Sequence, residues 1–127
     1  MRAQVAFEFM VMAGFAVLLL TGVVSGLYYA HTRATVDASN QALERIADEI
    51  QQEFILADQL REGYTRTFVV DQTARGESYV VEQTNNSFTL RSDHSSQTRR
   101  TPAFSGVISP PEITVQKHAD QEVLVVS

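Results

Sequence analysis

From Phe9 to Ala30 the chain reads FMVMAGFAVLLLTGVVSGLYYA, 22 residues without a charged side chain or a proline. As a helix this run is about 33 Å long, enough to cross a hydrocarbon layer of about 30 Å. Two other structures can present such a run: the buried core helix of a globular protein, and a secretory signal peptide. A secretory apolar stretch is usually about 7–15 residues long and is followed by a small-residue cleavage site. The run here is longer and passes into polar sequence that keeps a helical pattern, so we read it as a retained membrane anchor. In 127 residues that leaves room for the anchor and one further domain.

Composition narrows what that domain does. Residues 31–127 hold nine Lys/Arg and fourteen Asp/Glu, and the whole chain has a formal net charge of −5. Nucleic-acid surfaces cluster Lys and Arg against phosphate, so no nucleic-acid partner is expected. There is no cysteine, hence no disulfide, no thiolate nucleophile and no Cys-based zinc site. His31, His94 and His118 are far apart and lack metal-ligand spacing. Asp93-His94-Ser95 has the residue types of a hydrolytic triad, but triads are assembled in space from distant segments, and adjacency is no evidence for one. We therefore expect no enzymatic activity, no cofactor and no metal. Arg99-Arg100 reads as a solvated loop pair, too small for an anion site.

The chain changes character twice. Gln4 to about Glu62 reads as one continuous helix, apolar first and amphipathic after about residue 30. In its second half Val36, Leu43, Ile50 and Ala57 recur every seven residues, and Ile46, Ala47 and Phe54 fill the same face. Arg45, Asp48, Glu49, Glu53 and Asp58 lie mostly between them. Gly63 is placed to stop the helix. Beyond it the period becomes two, in Tyr64–Asp71, Ser78–Gln83, Ser87–Arg91, Glu112–Lys117 and Glu122–Val126. Asn85-Asn86 suits a tight turn, and His118–Gln121 suits the turn of the last hairpin. Asp93–Pro102 (DHSSQTRRTP) carries no strand signal and reads as an exposed loop, and Pro110-Pro111 marks another break.

The expected fold is α+β: a long N-terminal helix, transmembrane then amphipathic, packed on a small, mainly antiparallel C-terminal β-sheet. A sheet this small needs the helix to cover one face. The expected core is Leu43, Ile46, Ile50 and Phe54 against Phe68, Val70, Phe88, Leu90, Val115 and Val125. Val69, Val80 and Val126 complicate the alternation. The segments are a leader at 1–3, an anchor helix at 4–30, an amphipathic helix at 31–62 and a β-sheet head at 63–127.

The N-terminus, Arg2-Ala3-Gln4-Val5-Ala6-Phe7-Glu8-Phe9, sets a lone carboxylate just inside an apolar run. An ionisable group at a membrane edge is costly without water, a partner or a proton, so Glu8 is a candidate functional residue. This segment resembles the archaeal type IV pilins with a class III signal peptide, whose processing site is a basic residue, Gly or Ala, then Gln, followed by a carboxylate at the fifth mature position. The resemblance implies cleavage between Ala3 and Gln4 by a prepilin peptidase on the cytoplasmic side, with Arg2 and Ala3 the last leader residues. It implies insertion as a single-pass membrane protein and polymerisation through the helix, with copies of itself and other pilins and with the pilus assembly machinery. It also implies an extracellular filament at the cell surface that serves adhesion or motility. Glu8 then neutralises the new amine of Gln4, on its own chain or a neighbour. Gly22 and Gly26 form a GxxxG pattern for close helix packing, and Asn85-Asn86-Ser87 is an N-glycosylation acceptor pattern. The alternative from another class is a single-span membrane protein that never polymerises, with its extracellular β-domain as a binding module.

Overall fold

The computed structural model describes residues 1–119 and 122–126. Among the described residues one helix, α1 (Arg2–Gln59), is followed by nine strands. The chain divides into two compact units, Met1–Val36 and Asp37–Ser127. The α+β class is as expected, a long N-terminal helix whose C-terminal part packs on an antiparallel-dominated sheet. The hairpin expected over His118–Gln121 includes Asp120 and Gln121, which lie outside the described residues.

In the second unit, α1 buries Ser39, Leu43, Ile46, Ala47, Ile50, Phe54 and Ala57. These positions advance by three or four, so they form one stripe along the helix. Leu43, Ile50 and Phe54 are fully buried, each worth about 1.5–3 kcal/mol relative to exposure. The helix ends at Gln59, three residues short of the expected Glu62. Gly63 does not cap it. With φ at +85° it turns the chain, and its N–H donates to the Lys117 carbonyl at 3.1 Å, opening the first strand pairing.

The strands form two sheets and a short ribbon. The four-stranded sheet contains β1 (Thr65–Val69), β7 (Phe104–Gly106), β8 (Glu112–Lys117) and β9 (Val123–Val126), in the order β1-β8-β9-β7. β1–β8 and β8–β9 are antiparallel, while β7–β9 is parallel. The three-stranded sheet is β4 (Val80–Thr84), β5 (Ser87–Arg91) and β6 (Ser96–Arg100), all antiparallel. β2 (Thr73–Ala74) and β3 (Glu77–Ser78) make the ribbon. Every expected core residue is buried, and Val69, Val80 and Val126 are exposed on outer faces. Ala47, Ala57, Ala74, Phe104, Ile108, Ile113 and Val123 complete the core. Phe54 meets Phe104 edge to face, ring centroids 4.9 Å apart at 67°.

Three expectations are corrected. Ser96–Arg100 is not loop but β6, paired along its length with β5. Its core-side residues, Gln97 and Arg99, are polar, so no apolar alternation marks it. Arg99 is not a solvated loop residue either. Its Nε donates to Asp48 at 2.7 Å and its NH2 lies 3.6 Å from Glu44, both on α1. Arg100 stays exposed, and its carbonyl accepts from Gln51 of α1 at 2.7 Å. The run expected from Ser78 to Gln83 is broken at Tyr79, whose half-buried ring turns inward and whose hydroxyl donates to the Asp71 carbonyl. β7 is held by Gly106 (φ +107°), where a Cβ would stand 2.1 Å from the Val125 carbonyl oxygen. The two sheets are stapled by Gln83 of β4, which donates to the Gly106 carbonyl at 2.5 Å and accepts from the Ile108 N–H at 2.8 Å.

Candidate functional site

In the unit Met1–Val36 almost every residue is exposed. Fourteen large apolar side chains from Phe9 to Tyr29 are each more than half exposed. At about 1.5–3 kcal/mol per side chain left in water, the cost is on the order of 20–40 kcal/mol. A whole domain is stable by only about 5–15 kcal/mol. This surface therefore has to meet lipid or other apolar protein. α1 is long and apolar enough to cross a membrane, and its most apolar window has no buried residue, which separates it from the core helix of a globular protein.

Thr21, inside the run, and Thr32, just past it, conform to an apolar medium. The Thr21 hydroxyl donates to the Val17 carbonyl at 2.8 Å, four residues back, so it needs no outside partner. Thr32 donates to the Tyr28 carbonyl at 3.0 Å in the same way. Tyr28 and Tyr29 close the apolar run, and the Arg33 guanidinium lies 5.8 Å from the centre of the Tyr29 ring. Aromatic rings followed by a cation are the composition of a membrane–water boundary. Sequence reasoning passed over this pair of tyrosines, although their position next to Arg33 was there to be read.

Arg2, Ala3 and Gln4 lie in the first turn of α1, all exposed. Glu8 follows one turn after Gln4, also exposed, and among the described residues it has no ion-pair partner, Arg2 included. The helix thus brings Gln4 and Glu8 onto one face (an i, i+4 pair). Gly22 and Gly26 also share a face, and a methyl group added at either would meet nothing within 4 Å, so the notch is open to a second helix. Asn85 is exposed in the turn between β4 and β5. Its backbone carbonyl and that of Asn86 accept from Phe104 N–H at 2.8 Å and Thr101 N–H at 2.9 Å, leaving the side chain outward. Among the described residues no group of His, Asp and Glu could hold a metal. His94 Nδ1 instead lies 3.3 Å from Glu77, which accepts from Ser39 at 3.0 Å. With the carboxylate between serine and histidine, this is not the order a nucleophile needs.

No family model, no curated protein and no solved structure matches the chain.

Proposed function

We propose that this chain is a structural subunit of an extracellular type IV pilus-like filament, inserted in the membrane through its N-terminal helix and polymerised through that same helix. The observation that carries the reading is the exposed apolar surface of residues 5–29 with a single unpaired carboxylate, Glu8, at its start. A surface of this kind is stable in lipid, and equally stable against copies of itself once drawn from the bilayer. A carboxylate retained at that depth is explained by a positive partner met on assembly. Cleavage before Gln4 by a prepilin peptidase creates such a partner, the Gln4 amine, one helical turn away. The pair then sets the axial register of neighbouring subunits, because leaving one member unmatched costs about 3–5 kcal/mol. The head, Asp37–Ser127, forms the filament's outer surface, where it serves adhesion or motility.

The test is Glu8→Gln, made in the cell that produces the protein. The variant should insert and be trimmed as the parent is, yet yield few or no surface filaments by electron microscopy. Filaments at parental abundance would remove the assigned role of Glu8. A protein that stays monomeric in the membrane whatever stands at position 8 would favour the tethered binding module.

A further inference from the structure

Among the described residues, four cations of the head, Arg45, Arg61, Arg75 and Arg100, have no side-chain partner, and two of them, Arg45 and Arg75, share one groove. Residues 37–127 hold fourteen Asp/Glu and eight Lys/Arg. Arg66, Arg91, Arg99 and Lys117 each pair with a carboxylate. Arg45 and Arg75 do not: among the described residues neither guanidinium has an ion pair or hydrogen bond. Both line a groove of about 390 Å³ between α1 and the segment 71–75, and both line the adjoining hollow of about 320 Å³.

Their placement is built. The β2–β3 ribbon is locked to α1 by Ala74, which is fully buried, and by the buried Ser39 hydroxyl, 3.0 Å from Glu77 and 3.4 Å from the Ala74 carbonyl. The turn joining the two strands is Arg75-Gly76, with φ of +53° and +89°, so both central residues are left-handed. Such turns favour Asn-Gly or Gly-Gly. Arginine here carries a backbone cost that glycine would avoid, and its side chain is the return. On the helix side, the small side chains of Ala38 and Ala42 line the hollow together with the two arginines.

We infer that this groove binds acidic saccharides, with Arg45 and Arg75 holding the sugar carboxylate. Planar guanidinium forks match a carboxylate in charge and geometry. Glu49 and Asp71 also line the groove, and their carboxylates would accept hydrogen bonds from hydroxyl groups. A ligand with carboxylates but no hydroxyl groups leaves both of them without a donor. A uronic acid, with one carboxylate and several hydroxyls, satisfies both kinds of group. The groove lies wholly on the head and its assignment does not depend on the filament reading.

The test uses the full chain in detergent micelles, titrated calorimetrically with oligogalacturonate, with dextran oligomers as the neutral saccharide and oligoglutamate as the acidic peptide. Oligogalacturonate should bind saturably, while Arg45→Gln and Arg75→Gly should each weaken it by about tenfold or more. Arg75→Gly suits the left-handed turn, so its urea midpoint should equal or exceed the parent's, and lost binding is then not lost folding. Arg61→Gln and Arg100→Gln, cations that do not line the groove, should bind as the parent does. The inference is overturned if oligogalacturonate does not bind saturably, if dextran or oligoglutamate binds as tightly, or if Arg75→Gly binds like the parent.

Discussion

Replacing Phe54 by alanine removes the ring that joins α1 to the four-stranded sheet. Phe54 is fully buried and packs edge to face on Phe104 of β7, with centroids 4.9 Å apart. A buried Phe→Ala change costs about 3–5 kcal/mol, combining lost transfer energy with the cavity left behind. Against a total of about 5–15 kcal/mol, Phe54→Ala should take away at least about a fifth of the head's stability. The adjacent Ile55 is 39% exposed, and Ile55→Ala should shift stability by less than about 1 kcal/mol. Both are measured by urea unfolding of the full chain in a mild detergent, followed by tyrosine circular dichroism in the near ultraviolet. Milder changes isolate the ring pair: a double-mutant cycle of Phe54→Leu and Phe104→Leu should give a coupling of about 0.5–1.5 kcal/mol. A Phe54→Ala loss under about 1 kcal/mol, or an Ile55→Ala loss as large, would refute this account of the core.

Gly106→Ala should destabilise the head by more than about 2 kcal/mol, because a methyl group there would meet the Val125 carbonyl at 2.1 Å in a left-handed backbone; the same urea series checks it. The Tyr79 hydroxyl is pushed up to about 12, first by burial and then by the Asp71 and Glu49 charges. The folded state therefore holds this proton more tightly than the unfolded chain does. Its contribution is whole below about pH 10, falls as pH rises toward about 12, and should vanish from the pH profile of Tyr79→Phe.

Where burial follows apolar period, the fold was legible in the sequence. Of the seven-residue recurrence, Leu43, Ile50 and Ala57 lie on the buried stripe of α1 while Val36 is only partly buried, and Phe88 and Leu90 marked the inner face of β5. Legibility failed where the chain faces the core with polar atoms. β6 turns Gln97 and Arg99 inward because the helix flank opposite offers Asp48 and Glu44, and a pairing across 51 residues leaves no local trace. β7 escaped because three residues, Phe104–Gly106, are too few to show a period. At the N-terminus the exposed apolar surface and Glu8 could be read directly, since an anchor is defined by composition. The Arg45–Arg75 groove could not, because it exists only once the β2–β3 ribbon is laid on the helix.

The filament reading meets its most direct test in the intact mass and N-terminal peptide map of the protein recovered from its native cell surface. The account predicts a mature chain that starts at Gln4, with Glu8 at its fifth position, recovered in filaments. A surface protein that still begins at Met1 or Arg2 would contradict it, leaving Glu8 without the amine that its proposed role requires.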